Sequence, residues 1–129
     1  MSGGYDMFEQ ILDAVKGAAG TDLSAAPHKG RAESVVYRWF PLSDDGSLAT
    51  ARLELRFMSE TLAAAVERLG RVKAAILSQG DSGVIGTGSR TLVVSQVAEG
   101  ATSGYSRGRG LYFVKAGFLV RGRSDGYDA

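Results

Sequence analysis

The stretch LATARLELRFMSETLAAAVERLGRVKAAILSQ, from Leu48 to Gln79, changes its hydrophobic period from that of a strand to that of a helix. Between Ala51 and Phe57, apolar residues alternate with Arg52, Glu54 and Arg56. This alternation is typical of a strand that buries one face. The sequence therefore predicts a strand that leads directly into a helix.

The helix is predicted from a second pattern in the same stretch. Ser59 stands where an N-cap belongs, because its hydroxyl could accept an early helix N–H. The apolar residues that follow at helical spacing are Leu62, Val66, Leu69, Val72 and Ile76. We expect this stripe to pack against the sheet.

The residues before this unit predict a β-hairpin. Ser34 to Leu42 reads SVVYRWFPL, which is rich in β-branched and aromatic residues, and Pro41 favours a strand end or a sheet edge. The turn-forming residues 43–47 separate it from Ala49 to Met58, so the two runs are expected to pair as antiparallel strands.

The remaining elements complete an α+β pattern. Tyr5 to about Gly17 predicts a first helix, with Asp6 and Glu9 at the spacing of a capping box. Thr91 to Ala98 and Leu111 to Val120 predict two further strands. The order αββαββ indicates a single domain over residues 1–129, with a mainly antiparallel sheet of four or slightly more strands and both helices on one face.

Composition narrows the chemistry. The 129 residues include no cysteine and one histidine, His28, so disulfides and thiol catalysis are excluded. The chain has 15 basic and 14 acidic residues, so no strong overall field attracts it to nucleic acid or to an anionic membrane. No apolar run reaches the roughly 18 to 20 residues that span a bilayer, and the N-terminal residues lack the pattern of a signal peptide.

Three fragments resemble functional motifs without completing them. Residues 80–83, GDSG, lack the base and orienting acid of a serine protease. Residues 86–89, GTGS, are not followed by the lysine of a phosphate-binding loop. Residues 109–114, RGLYFV, partly match the RNP1 strand of RNA-recognition domains, but Leu111 and Tyr112 depart from it. We therefore expect no catalytic residues, no cofactor and no metal.

Two glycine-rich stretches are the candidate interaction sites. Gly80 to Ser89 and Glu99 to Gly110 are predicted to be loops, and long loops in compact domains are often functional. Arginine and tyrosine are enriched at protein contacts. The candidate interface residues are Gly86, Gly88, Arg90, Tyr105, Arg107 and Arg109.

The strand ARLELRF, the helix SETLAAAVERLGRVKAAIL and the closing strand LYFVKAGFLVRGR resemble, in this order, the tail-terminator and tail-completion proteins of long-tailed bacteriophages and prophages. The resemblance covers most of the chain and rests on pattern. It implies a non-enzymatic subunit of a homo-oligomeric ring, commonly a hexamer, that caps the tail tube and joins it to the head connector. It also implies a location in the virion tail, and in the host bacterial cytoplasm during assembly.

Further expectations follow from the resemblance and from its alternatives. The glycine-rich loops would contact neighbouring subunits and become ordered only on oligomerisation. The same assembly could belong to a phage tail or to a related contractile device. The alternative function is a small nucleic-acid-binding domain that uses the arginines between Arg107 and Arg123. An enzyme with a small-molecule pocket is the third hypothesis.

Overall fold

A computed structural model describes residues 7–20, 23–25, 34–86, 91–97 and 102–123. Two helices and seven strands lie within these residues. In chain order they are α1 Met7–Ala19, β1 Leu23–Ala25, β2 Ser34–Asp44, β3 Leu48–Ser59, α2 Leu62–Ile76, β4 Ser82–Ile85, β5 Leu92–Gln96, β6 Thr102–Ser106 and β7 Leu111–Arg123. The predicted α+β class and both predicted helices are confirmed.

The strands form one sheet in the order β1-β2-β3-β7-β5-β4, and β6 also pairs with β7. The short β1 runs parallel to β2, and the other pairings are antiparallel. β7 is the central strand. One edge of β7 pairs with β3, while the other edge pairs first with β6 and then with β5.

The predicted hairpin of β2 and β3 is confirmed, and its turn is held by aspartate side chains. The Asp45 carboxylate accepts from the backbone N–H groups of Leu48 at 2.7 Å and Ser47 at 2.9 Å. These donors hold the pKa of the Asp45 carboxyl below its usual range, because they favour its charged form. Gly46 has a φ of 90°, which a residue with a side chain rarely adopts. The turn therefore follows from the sequence Asp44-Asp45-Gly46.

Pro41 lies inside β2, next to an irregularity in the register between Pro41 and Ser43. In the described residues, β1 pairs only with Val35, Val36 and Tyr37 of β2. Pro41 is thus on the part of β2 whose outer edge has no strand partner among the described residues. This agrees with the expectation that it marks a sheet edge.

Both helices pack on one face of the sheet, here called the covered face. Its buried core combines residues from the helices with inward-facing residues of four strands. The core residues are Ile11, Val15, Ala19, Val35, Leu53, Leu55, Phe57, Ala65, Leu69, Val72, Ile76, Leu77, Leu92, Val94, Val114, Ala116, Phe118 and Val120. The aromatic ring of Phe8 in α1 packs on Tyr37 and Trp39 of β2, with ring centres 5.6 and 5.0 Å apart.

Two details of α2 differ from the prediction. Its N-cap is Thr61, whose hydroxyl accepts from the Ala64 N–H at 3.1 Å, while Ser59 is the last residue of β3 and is buried. The strand thus extends over the residue predicted to start the helix, because Ser59 still pairs with Tyr112 of β7.

The buried stripe of α2 is also shifted from the predicted one. Leu62 and Val66 are 38% and 50% exposed, and the small Ala65 takes a buried position. Leu69, Val72 and Ile76 are buried as expected. A small side chain at Ala65 lets the helix approach the sheet closely, so the bulkier Val66 turns toward solvent.

The two stretches predicted to be loops contain strands, which corrects the prediction. Ser82–Ile85 forms β4 and Thr102–Ser106 forms β6. Each is paired with a neighbouring strand of the same chain. Their glycines allow close packing: a Cβ on Gly83 would meet the Ile76 carbonyl and a Cβ on Gly104 would lie 2.8 Å from the Phe113 ring.

Candidate interaction surfaces

The six predicted interface residues do not form one site. Tyr105 lies in β6, and Arg107 and Arg109 lie in the turn that leads to β7. Gly86 directly follows β4. Gly88 and Arg90 lie outside the described residues, as do Asp6 of the predicted capping box and His28.

Pairing along β7 places Gly86 far from the other three. Ser106 pairs with Leu111 at the start of β7, and Leu92 pairs with Gly122 near its end. Eleven residues of strand separate these positions along β7, which corresponds to about 36 Å. The candidates therefore lie at two opposite ends of the sheet, here called the β6–β7 end and the β2–β3 end.

The β6–β7 end carries an exposed aromatic pair. Tyr105 and Tyr112 pack edge to face with ring centres 4.8 Å apart, and they are 51% and 39% exposed. Tyr105 is one of the residues predicted from the sequence, whereas Tyr112 is not, because their cross-strand pairing follows only from the β6–β7 register. Paired, partly exposed tyrosines are suited to protein contacts.

Arg109 and Arg107 differ in their surroundings at this end. The Arg109 guanidinium lies 3.4 Å from the Met58 sulfur, so its side chain folds back onto the sheet. The turn is closed by Gly110, whose N–H donates to the Ser106 carbonyl at 2.8 Å and whose φ is 67°. Arg107 is exposed in this turn. Of the two arginines, Arg107 is the more exposed.

The β2–β3 end carries an apolar patch that the sequence analysis did not select. Phe40, Leu42 and Leu48 are 40%, 55% and 45% exposed on the β2–β3 hairpin. The alternation in β3 and the aromatic run in β2 predict the two strands. They do not predict which strand residues the helices leave uncovered, because that depends on the tertiary structure. Clustered exposed apolar residues of this kind often mark interaction sites.

The sheet face opposite the helices, here called the open face, is rich in basic residues. The alternation that buries Leu53, Leu55 and Phe57 turns Arg52, Glu54 and Arg56 to this side. The strand registers bring further charges beside them. The charged residues that β2, β3 and β7 carry on the open face are Arg38, Arg52, Glu54, Arg56, Lys115, Arg121 and Arg123.

Two glycines shape how arginines lie on the open face. The Arg52 guanidinium lies over Gly117, where a Cβ would be 3.1 Å from its Nη2, and it pairs with Glu54 at 3.4 Å. The Phe113 ring lies over Gly104, and the Arg56 guanidinium carbon lies 4.8 Å from the centre of this ring. Both guanidinium groups are therefore held against the sheet.

The RNP1-like fragment does not present two aromatic rings on one open surface. Leu111 and Phe113 share the open face, and Leu111 is buried in a small cluster with Val36 and Met58. The Phe113 ring is contacted by Arg56, and Tyr112 points to the other face of the sheet. Base stacking on a pair of aromatic residues, as in RNA-recognition domains, is not available to this strand.

The GDSG fragment is part of the fold. Ser82 begins β4, and the Asp81 carbonyl accepts from the Gln96 N–H at 2.9 Å. Among the described residues, no group of three His, Cys, Asp or Glu side chains could hold a metal ion. No helix in the described ranges is long and apolar enough to cross a membrane.

The fold is similar to that of a chain in a solved structure described as the virion of a native gene transfer agent (GTA) particle, with a TM-score of 0.54. The two chains are 14% identical, and the similarity covers 95% of this chain and 97% of that chain. No protein-family model matches the sequence, and a search of curated proteins finds no match. At this identity, the comparison establishes a shared fold over nearly the whole chain.

Proposed function

We propose that this protein is a structural component of a phage-like virion, with an assembly role and no enzymatic activity. The observation that carries the proposal is the similarity of fold to a chain of a gene transfer agent virion over 95% of this chain. A gene transfer agent is a phage-like particle. Because both chains are matched almost end to end, the similarity concerns the whole subunit.

More specifically, we propose that the protein forms a ring that ends the tail tube and joins it to the head connector. In the tail-terminator family that the chain resembles, this ring is commonly a hexamer. Closed rings use heterologous contacts, in which two different surfaces of each subunit meet. The tyrosine pair at the β6–β7 end and the apolar patch at the β2–β3 end are two such surfaces, about 36 Å apart along β7.

Unpaired strand edges offer a second kind of contact. Within the described residues, β4 pairs only with β5 and β6 pairs only with β7. The Ser82 carbonyl of β4 already accepts from the Gln79 N–H at 2.8 Å. The remaining outer backbone groups of these two strands can accept a strand or loop of a neighbouring subunit. Gly86 and Tyr105 lie next to these two edges, so they remain candidate interface residues together with Arg107.

The experiment is light scattering over a concentration series, with and without the tail-tube and head-connector proteins. We expect a ring, or a complex with one of these proteins, to form. The double variant Phe40→Ser with Leu42→Ser and the double variant Tyr105→Ala with Tyr112→Ala should each weaken assembly. The matched control is Leu62→Ser with Val66→Ser, which removes exposed apolar side chains from α2 instead.

Two outcomes would contradict the proposal. A protein that stays monomeric at every concentration and binds neither partner is not an assembly subunit of this kind. Equal loss of assembly in the α2 control would show that general surface hydrophobicity, and not the two ends of the sheet, drives association. Mass spectrometry of purified particles tests the proposed location in the virion tail.

A further inference from the structure

The open face concentrates positive charge in a protein that is nearly neutral overall. The whole chain has a formal net charge of +1, but β2, β3 and β7 carry six basic residues and one acidic residue, Glu54, on the open face. We propose that this face binds the phosphate backbone of nucleic acid without reading its sequence. The proposal does not depend on ring assembly, although Phe40 and Leu48 of the apolar patch at the β2–β3 end border this face.

The strongest observation is a like-charge pair in the sheet. Arg56 and Lys115 lie directly opposite each other on β3 and β7. Their next neighbours in the same row, Val36 on β2 and Thr102 on β6, carry no charge. Like charges directly opposite across strands are unfavourable. A bound polyanion would relieve this repulsion, so the pair points to an anionic partner.

Two of the arginines on this face make contacts that position them before any ligand binds. Arg52 lies over Gly117 beside Glu54, and Arg56 lies against the Phe113 ring. A guanidinium group matches phosphate oxygens with two parallel N–H donors. Because these side chains are already positioned, less conformational entropy is lost on binding.

The basic surface is as long as a short segment of duplex. Lys115 and Arg123 are eight positions apart on β7, which corresponds to about 26 Å. Over this length, B-form DNA carries about 15 phosphate charges. A broad sheet face cannot enter a groove as a helix does, so contacts with phosphates and not with base edges are expected.

An acidic protein is the main competing partner, and the centre of the face argues against it. The cores of protein–protein interfaces are depleted of charged residues. Here, Arg52, Glu54 and Arg56 occupy the middle of the face beside the partly buried Phe113 and Leu119, while the more exposed Phe40 lies toward its edge. This distribution fits a dense array of phosphates better than a protein surface.

The test is fluorescence anisotropy with a labelled 20-base-pair duplex and a single strand of the same length, measured over a range of salt concentrations. The open-face variant is Lys115→Gln with Arg121→Gln. The matched control is Arg71→Gln with Lys73→Gln, which removes the same formal charge from α2. Matching circular dichroism spectra and melting temperatures verify that both variants are folded.

We expect the wild type to bind and the open-face variant to bind at least about tenfold more weakly at moderate salt, because it loses contacts with phosphates. Each lost contact should also make the negative slope of log K against log salt shallower by about 0.9. The control should stay within about twofold of the wild type. The proposal is supported if the open-face variant, but not the control, binds the duplex or the single strand more weakly than the wild type does.

Three results would overturn it. The first is no binding of either nucleic acid at low salt. The second is an equal loss in the α2 control, because binding would then depend on net charge and not on the open face. The third is a wild-type protein that binds poly-L-glutamate but neither nucleic acid, together with an open-face variant that does not bind poly-L-glutamate. This result would identify an acidic protein as the partner. None of these results depends on whether the chain forms a ring.

Discussion

The two faces of the sheet are built from the same strands but have opposite compositions. In β3, Leu53, Leu55 and Phe57 enter the core on the covered face, while Arg52 and Arg56 lie on the open face. Apolar burial on the covered face supplies most of the favourable free energy of folding. The open face is therefore under a weaker packing constraint, and it can hold charges that do not help the protein fold.

The two faces of the sheet are expected to contribute differently to the stability of the fold and to the binding of a partner. Substitutions of buried residues on the covered face should lower the free energy of unfolding without a direct effect on a partner. Substitutions of the charged residues on the open face should change that free energy by at most about 1 kcal/mol while altering binding. Matched pairs of variants, one from each face, test this division.

The largest effect is expected for Phe118→Ala compared with Phe40→Ala. Phe118 is fully buried on the covered face, so its loss should cost about 3 to 5 kcal/mol by removing burial and leaving a cavity. Phe40 is 40% exposed, and its loss should cost about 1 kcal/mol or less. Urea denaturation measures both. Similar costs would mean that the two faces do not differ as described.

Glycines on the two faces give the next comparison. A Cβ on Gly83 would meet the Ile76 carbonyl and would lie 2.8 Å from the Ser78 nitrogen, so β4 and α2 would have to separate. We expect Gly83→Ala to cost about 1 to 3 kcal/mol.

Gly117→Ala is the matched variant on the open face. The nearest atom to its new Cβ would be Nη2 of Arg52, at 3.1 Å, which is the end of a flexible side chain. Its cost in urea denaturation should be less than about 1 kcal/mol. A greater cost for Gly117→Ala than for Gly83→Ala would show that the open face is as tightly packed as the covered one.

The helix layer can be tested at its N-terminus. Thr61→Ala removes the acceptor for the Ala64 N–H and should cost about 1 kcal/mol, whereas Thr61→Ser keeps it and should stay within about 0.5 kcal/mol of the wild type. Thermal unfolding followed by circular dichroism compares them. An equal loss in both variants would assign the effect to the Thr61 methyl group instead of the cap.

Much of the fold could be predicted because local patterns agree with it. The alternation in β3 and the Asp-Asp-Gly turn are local signals, and both are confirmed. β4 and β6 were missed because their glycines and serines have low strand propensity. They are held by pairing with β5 and β7, which shows that tertiary contacts can override propensity.

The interaction surfaces could be predicted only in part. Tyr105 and Arg107 stand out in the sequence, but the partner of Tyr105 depends on the β6–β7 register. The open face was partly visible in Arg52 and Arg56. Its continuation through Lys115 could not be deduced, because the pairing of β3 with β7 joins residues about 60 positions apart in the chain.

The smallest effect is the most informative about the open face. Lys115→Gln removes one member of the like-charge pair with Arg56, so it should raise the free energy of unfolding by about 0.2 to 1 kcal/mol at low salt. The gain should shrink at high salt because screening weakens the repulsion that it relieves. Urea denaturation at two salt concentrations measures this difference.

Lys73→Gln is the control for this variant on the covered side. Lys73 lies in the last turn of α2, where a positive charge favours the helix dipole, so its loss should lower the free energy of unfolding slightly. Opposite signs for the two variants would indicate that Lys115 is kept on the open face at the expense of stability. If Lys115→Gln instead destabilises the protein at low salt, the pair is not repulsive, and the open face loses its energetic reason for binding an anion.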